Sequence, residues 1–194
     1  MKKLILFLSL ILISYNSFSE VRNTFYENNQ LKTEGIYKDG KLIGETKYTY
    51  YKTGEIRTKE NYKDGKLDGW LKEWNKNGQI DTEESFEDGN LLFTIKYKYF
   101  NNANLESKQK YKDGRLNGES VFWTRDGKKF AEGNYKNGQA DSEWIWWNNK
   151  GQKIEESTYK DGYLVEKNLY KYSFFTGKLK SVKRYKNGVC TSGC

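Results

Sequence analysis

A four-residue block recurs seven times along the chain and consists of an aromatic residue, Lys or Glu, Asp or Asn, and Gly. Its glycines are Gly40, Gly65, Gly89, Gly114, Gly138, Gly162 and Gly188. Successive glycines lie 25, 24, 25, 24, 24 and 26 residues apart. Repetition at this spacing restricts the chain to stacked copies of one small unit. Because Asp-Gly and Asn-Gly tolerate the positive φ angles of a type I′ turn, each block predicts a tight hairpin turn.

A second turn signal lies 11 residues before each of the last six block glycines. These second signals end at Gly54, Gly78, Ala103, Gly127, Gly151 and Gly177. The other part of the repeat varies between 13 and 15 residues. Each interval therefore has room for one strand of roughly 6 to 9 residues.

The 11-residue arms alternate with period two, which is the pattern of a strand rather than a helix. One arm has Ile56, Thr58, Glu60 and Tyr62 at alternate positions. Two arms differ, since Lys129 and Lys153 replace the aliphatic residue and Phe130 and Ile154 follow one place later. A shift of one residue reverses the face of a strand, so we expect a bulge or a local change of register at these two arms.

The variable arms carry large aromatic residues, which we expect to stack into a ladder on neighbouring strands. Each ring can bury about 150–250 Å², which compensates for the scarcity of aliphatic residues. A lone hairpin is marginal in water, so the units must stack to be stable. The predicted fold is all-β, an elongated single-layer antiparallel β-meander or solenoid of about seven tandem hairpins over residues 20–188. With some 14 strands it would be about 65 Å long.

This repeat resembles the MORN-repeat variant found in bacteria. The resemblance covers about residues 25–188 and includes the aromatic-Lys-Asp/Asn-Gly block and a following glycine. It also includes an aromatic position held by Tyr50, Trp74, Tyr99, Trp123 and Trp147. The following glycine is present as Gly44, Gly69 and Gly118 and is replaced by Phe93, Ser142, Glu166 and Ser192, where we expect a different loop geometry. The resemblance implies tandem antiparallel hairpins, and the family is associated with membrane contact and protein interaction.

The two ends of the chain differ from the repeats. Lys2 and Lys3 precede ten residues that are apolar except for Ser9, which predicts a signal peptide over residues 1–19 and export from a bacterial cell to the periplasm, the cell surface or the medium. Residues 189–194 form a predicted tail with Cys190 and Cys194. In an oxidising compartment the two cysteines can pair with each other, bridge to another chain or remain free.

The composition argues against catalysis. The chain has no His, so the commonest general base and metal ligand are missing. Its acidic residues recur at turn positions, and no glycine-rich loop opens a helix to hold phosphate. We therefore predict no catalytic residues, no metal and no cofactor. The net charge of +8 comes from well-mixed charges, and for an exported protein we expect no nucleic-acid partner.

Six tryptophans are the tentative binding residues: Trp70, Trp74, Trp123, Trp144, Trp146 and Trp147. Alternation puts Trp144 and Trp146 on one face of the sheet and Trp147 on the other. Neighbouring rings can cover both faces, in which case the tryptophans are structural. The functional alternative is an aromatic platform, bordered by Lys150 and Lys153, that stacks on a ligand.

The sequence predicts an exported, noncatalytic binding or scaffold module for protein, membrane, or envelope and host-surface ligands, whose oligomeric state is open. The alternative is an antitoxin or immunity protein that neutralises a toxin by direct binding, since the same variant repeat occurs in YwqK-type antitoxins.

Overall fold

The computed structural model describes residues 19–194, which form one open antiparallel sheet of fifteen strands in chain order. The strands are β1 (Ser19–Phe25), β2 (Leu31–Lys38), β3 (Lys41–Tyr50), β4 (Ile56–Lys63), β5 (Lys66–Trp74), β6 (Ile80–Glu87), β7 (Asn90–Tyr99), β8 (Leu105–Lys112), β9 (Arg115–Trp123), β10 (Lys129–Lys136), β11 (Gln139–Trp147), β12 (Lys153–Lys160), β13 (Tyr163–Tyr172), β14 (Leu179–Lys186) and β15 (Val189–Ser192). The predicted all-β meander of hairpin repeats is confirmed. The predicted signal peptide lies outside the described residues except for Ser19.

Seven tight turns join the strand pairs that begin with β2–β3 and end with β14–β15. In each turn both central residues have positive φ, as at Asp64 (48°) and Gly65 (80°). This is the conformation of a type I′ turn, whose twist matches that of the flanking strands. The seven glycines of the sequence blocks have this structural role: Gly40, Gly65, Gly89, Gly114, Gly138, Gly162 and Gly188.

Seven wide turns join the other strand pairs at the opposite edge of the sheet. A typical one spans residues 51–55, where the Tyr51 N–H donates to the Glu55 carbonyl at 2.9 Å and the Gly54 N–H donates to the Tyr51 carbonyl at 3.0 Å. The last wide turn, residues 173–178, is one residue longer, and its Ser173 N–H donates to the Lys178 carbonyl at 2.8 Å.

A bulge lies beside each of the seven wide turns. Thr49 pairs with Thr58 and Tyr50 pairs with Ile56, so one residue of β4 has no partner. Lys129 and Lys153 begin their strands with the same shift. The bulge predicted at these two lysines is therefore present, but it belongs to the general repeat and not to a local change of register.

A second irregularity lies beside each tight turn and takes two forms. In the nine-residue strands β5, β9 and β11, one residue has positive φ: Gly69 (93°), Gly118 (109°) and Ser142 (63°). The ten-residue strands β3, β7 and β13 have Gly44, Phe93 and Glu166 at this place, and none of the three has positive φ. Ser192 of β15 does not have it either. Loop geometry therefore does not follow the presence of the glycine, as we expected it to. Gly44 has the geometry of Phe93, Glu166 and Ser192, and Ser142 has that of Gly69 and Gly118.

The sheet has a very thin core. Among residues 19–194 the buried apolar side chains are Val121, Ala131 and Trp144, all in the strands β9–β11. A single layer has no second sheet to cover it, so its stability depends on pairs between neighbouring strands and on rings and lysine stems that lie across them.

The end of the chain belongs to the sheet. Residues 189–192, assigned to a tail from the sequence, form β15 and pair with β14. Cys190 and Cys194 are joined by a disulfide with a Cα–Cα distance of 6.2 Å. No helix in the described part of the chain is long and apolar enough to cross a membrane.

Candidate functional site

The sheet has two faces, and the register assigns side chains to them, because directly opposed residues of an antiparallel pair lie on the same face. We call face A the one that carries the tight-turn aromatic residues, such as Tyr62 and Tyr135. Face B is the opposite one. Trp144 and Trp146 lie on face A, opposite Gly133 and Ala131.

The six predicted tryptophans do not form one surface. Trp70, Trp74, Trp123 and Trp147 lie on face B, whereas Trp144 and Trp146 lie on face A. The predicted separation of Trp147 from Trp144 and Trp146 agrees with this register. The expectation that Trp144 and Trp146 extend the ladder formed by the aromatic residues of the other variable arms is wrong. Equivalent positions of these arms are found by counting residues back from the wide turn that ends each arm, and by this count Trp147 is equivalent to Trp123.

Face B carries one aromatic ring per repeat beside the wide turns, and we call this set the aromatic row. Its members are Phe25, Tyr50, Trp74, Tyr99, Trp123, Trp147 and Tyr172. Each is the last residue of its strand and pairs with the first residue of the next strand, as Trp74 does with Ile80. Neighbouring rings are separated by two strand spacings, about 10 Å. The row is only partly buried, so it offers ring surface to a ligand.

Lysines approach the row where the paired aliphatic residue is missing. Lys129 Nζ lies 4.8 Å from the ring centroid of Trp147. Lys128, Lys150 and Gly151 complete a shallow groove beside this ring. Lys153 lies directly opposite Trp147, at the border where we expected it. Its Nζ pairs with Glu156 at 2.7 Å, as Lys129 Nζ pairs with Glu132 at 2.5 Å.

The rings on face A form a packed cluster made of Phe122, Tyr135, Trp144 and Trp146. Trp144 stacks on Trp146 with ring centroids 5.6 Å apart and meets Tyr135 edge to face at 5.0 Å. Its Nε1–H donates to the Asn134 carbonyl at 3.0 Å. Trp144 is only 6% exposed, so it is a structural residue rather than a ligand platform.

Gly133 is required by this cluster. A Cβ atom on Gly133 would lie 2.2 Å from Cδ2 of Trp144. The indole therefore lies directly on the backbone of β10, which only a residue without a side chain permits. The sequence contained the signal, a glycine within a strand, but the register was needed to identify its partner.

A polar group on face B was not predicted from the sequence. Glu156 accepts hydrogen bonds from Lys153 Nζ and, at 2.6 Å, from the Tyr170 hydroxyl. The bond from Lys153 is the largest cause that lowers the pKa of Glu156 to about 2, and the bond to Glu156 raises the pKa of Tyr170 to about 12. Desolvation, followed by the bond to Glu156, raises the pKa of the neighbouring Glu143.

A similar arrangement lies three repeats earlier in the sheet. Glu83 accepts from Lys72 at 2.6 Å and from the Tyr97 hydroxyl at 2.5 Å. These bonds lower the pKa of Glu83 against the opposing effect of burial. Such carboxylate, lysine and tyrosine groups can exchange their internal hydrogen bonds for bonds to hydroxyl or amide groups of a ligand. Within residues 19–194 no three acidic or cysteine side chains come together as metal ligands would.

Amide side chains link consecutive wide turns. Gln30, Gln79 and Gln152 each donate from Nε2 to a carbonyl of the next wide turn, at Gly54, Ala103 and Gly177, over 2.7–2.8 Å. Asn104 donates similarly to the Arg125 carbonyl at 3.0 Å. The corresponding residues Glu55 and Lys128 have no side-chain amide and interrupt the series. These bonds hold the turn edge, and with it the aromatic row, in register.

Comparisons with known proteins concern the repeat and the fold. Three segments, residues 21–39, 46–64 and 116–137, match the family model of the MORN repeat variant. Each segment runs through a wide turn and along the following strand to the Asp or Asn of the next tight turn. The unit that matches is therefore a wide-turn hairpin. No curated protein matches the chain.

Among solved structures, the TcdB2-TccC3-Cdc42 crystal structure is 14% identical over 86% of this chain and 10% of that chain, with a TM-score of 0.42. The GtfA/B complex bound to UDP and GlcNAc is 12% identical over 70% and 23%, with a TM-score of 0.24. The chain thus spans about a tenth and about a quarter of these two. A protein with unknown function from Bacteroides fragilis is 12% identical over 86% of this chain and 91% of that chain, with a TM-score of 0.19.

Likeness at this level does not define a function, and the assignment depends on the repeat. The three matched segments, the tight turns with two positive-φ residues and the meander of hairpins agree with one another. The chain therefore carries repeats of the MORN variant.

Proposed function

We propose that the chain is a noncatalytic binding scaffold, exported from a bacterial cell, that uses face B to hold a protein or an envelope or host-surface ligand. The observation that carries this proposal is the aromatic row, a regular series of partly exposed rings along one face. A ladder of this kind is suited to a large, extended ligand, because each repeat adds one ring and no single repeat encloses a pocket.

The polar groups of face B support the same role. Glu83 with Tyr97 and Glu156 with Tyr170 lie on the same face as the row and offer hydrogen-bonding groups next to the rings. Rings supply contact area and neighbouring carboxylates supply orientation, which is the usual division of roles at binding surfaces. Membrane lipid belongs to the same range of ligands.

The test compares residues 19–194 with the variant Trp123→Ala/Trp147→Ala against an array of bacterial envelope glycans and purified envelope proteins. Loss of two central rings is expected to weaken binding at least about tenfold, since a buried aromatic anchor contributes about 2 kcal/mol or more. Tyr163→Asn is the matched control, because Tyr163 is an exposed aromatic residue outside the row. Absence of binding by the parent chain, or equal binding by the double variant, would contradict the proposal.

Two further experiments test the remaining parts of the proposal. Cell fractionation with mass-spectrometric mapping of the mature N-terminus tests export, and a start near residue 20 in an extracytoplasmic fraction is expected. Neutralisation of a toxin would be a special case of protein binding by face B. Toxin neutralisation would be identified by two results: the chain rescues cells that express a toxin encoded by a neighbouring gene, and Trp123→Ala/Trp147→Ala loses this rescue.

A further inference from the structure

The last wide turn differs from the other six in its tip. Phe174 and Phe175 occupy it, and their exposed fractions of 85% and 94% are the highest among the exposed large apolar residues of the described chain. The corresponding positions of the other wide turns are polar or charged, as at Asn101 and Asn102. Adjacent, fully exposed phenylalanines are unfavourable in water and mark a contact surface.

The tip is held in place by its own turn. The Gly177 N–H donates to the Ser173 carbonyl at 2.9 Å, and Gln152 of the preceding wide turn donates to the Gly177 carbonyl at 2.7 Å. The two rings meet edge to face with centroids 5.6 Å apart. Phe174 and Phe175 therefore project from a fixed turn at the edge of the sheet.

The net positive charge of the described residues is concentrated at the same end, so the charges are well mixed only over the earlier part of the chain and not over all of it as stated from the composition. Residues 167–194 contain seven Lys and Arg and no Asp or Glu, a net charge of +7. Residues 19–166 contain 25 basic and 26 acidic residues, a net charge of −1. The positive field of the described chain thus belongs almost entirely to its last two hairpins.

Four lysines from separate segments lie close to the phenylalanine tip, in space or along the chain. Lys150 comes from the preceding wide turn, and its Nζ lies 5.7 Å from the ring centroid of Phe174. The other three are exposed and lie within five residues of the tip along the chain: Lys171 at the end of β13, Lys178 in the same wide turn and Lys180 at the start of β14. None of these four takes part in an ion pair with the described residues, whereas Lys167 and Lys186 do.

From this arrangement we propose that the tip at Phe174 and Phe175 inserts into an anionic phospholipid bilayer while the surrounding lysines contact the headgroups. A projecting pair of phenylalanine rings flanked by lysines suits a bilayer that is apolar in its interior and negatively charged at its surface. It suits a protein groove less well, because an acidic groove would have to enclose the tip from several sides. The inference rests on the proposed binding role and names the ligand for one end of the sheet.

The experiment measures cosedimentation of residues 19–194, which contain all fifteen strands, with phosphatidylcholine vesicles that either contain or lack phosphatidylglycerol. Residues 1–18 are omitted because their apolar run would bind vesicles by itself. We expect binding to the anionic vesicles only. Phe174→Asn/Phe175→Asn gives the tip the sequence of the turn at Asn101 and should weaken binding at least about tenfold.

Two variants complete the test. Lys178→Gln should weaken binding to anionic vesicles about fivefold, the effect of one lysine near the surface, and the loss should shrink at high salt. Tyr163→Asn removes an aromatic residue that is 78% exposed at the opposite edge and should leave binding unchanged. Circular dichroism checks that each variant retains its strands.

The proposal is overturned if the parent chain does not bind anionic vesicles, or if the double Asn variant binds as the parent does. Equal binding to neutral vesicles would refute the role of the lysines. Failure here is distinguishable from failure of the proposed function, because that function is tested on glycans and proteins with variants of face B. A chain that binds those ligands but no vesicles would retain the scaffold role and lose the membrane contact.

Discussion

Replacing Gly133 by Ala tests whether the close contact between β10 and the indole of Trp144 is required for stability. The added Cβ would lie 2.2 Å from Cδ2, 2.4 Å from Cε2 and 2.4 Å from Cγ of the Trp144 ring. These atoms belong to a rigid bicycle that is stacked on Trp146 and hydrogen-bonded to the Asn134 carbonyl. The ring cannot give way locally, so it must leave its site.

The magnitude follows from what the ring then loses. Overpacking of a close-packed site costs about 1–3 kcal/mol. Loss of the bond from Nε1 of Trp144 adds about 1 kcal/mol. Complete removal of the side chain sets an upper limit of about 3–5 kcal/mol, the usual cost of Trp→Ala in a core. We expect Gly133→Ala to lower the free energy of unfolding by about 2–4 kcal/mol, within these limits.

The assay is urea unfolding of residues 19–194 followed by tryptophan fluorescence and circular dichroism. Gly35→Ala is the matched control at the same position of an earlier repeat. There the new Cβ would meet Cε2 of Tyr37 at 2.8 Å and Cδ1 of Leu42 at 3.1 Å, and would lie at an ordinary contact distance of 3.6 Å from the Arg22 carbonyl oxygen. These side-chain ends can move, so the control should lose less than about 1 kcal/mol.

A double-mutant cycle isolates the contact. In a Trp144→Ala background, Gly133→Ala should cause no further loss, because the ring with which it collides is absent. Equal losses in the two backgrounds, or a loss for Gly133→Ala no larger than that for Gly35→Ala, would refute the reasoning.

Three smaller predictions follow from polar contacts. The pKa of Tyr170 is raised to about 12 from an ordinary 10.0, so the bond to Glu156 contributes stability that is complete below pH 10 and is lost as the pH rises through 12. Tyr170→Phe should therefore reduce the loss of stability at alkaline pH in a pH series of unfolding curves. An unchanged slope would argue against the bond to Glu156. Ser120 is 0% exposed, and its hydroxyl has no hydrogen-bond partner among the described residues. Ser120→Ala should therefore raise the free energy of unfolding, measured in urea, by up to about 1 kcal/mol. A lower free energy of unfolding would indicate that the hydroxyl has a partner. Gln79→Glu removes the amide donor to the Ala103 carbonyl and should cost about 0.5–1 kcal/mol by thermal unfolding, whereas an unchanged melting temperature would show that this link is dispensable.

The strands and turns could be predicted because their signals are local and repeated. Asp-Gly at residues 64–65 predicts positive φ at both positions, and both have it. The aliphatic and aromatic alternation of the 11-residue arm predicts a strand, and β4 covers the expected residues. Each signal is weak by itself, but its repetition seven times along the chain makes the prediction strong.

The distribution of side chains between the faces was harder to predict, because it depends on bulges that insert unpaired residues. Trp144 and Trp146 alternate like the aromatic residues of other arms, yet they lie on face A. The face on which a residue lies depends on how many residues separate it from the wide turn that follows. A bulge at Lys129 could be expected, but one sequence pattern could not reveal that every repeat has it. The contact of Trp144 with Gly133 joins two strands and depends on both registers.

The linear order of the strands has a mechanical consequence. Each strand is bonded only to the one before and the one after it, so tension applied between the two ends of the sheet would pass through every hairpin in series. The hairpin with the weakest lateral contacts would open first, and the packed indoles of β11 would give way late. The molecule would therefore lengthen in steps, a single hairpin at a time, while the rest of the sheet kept its shape.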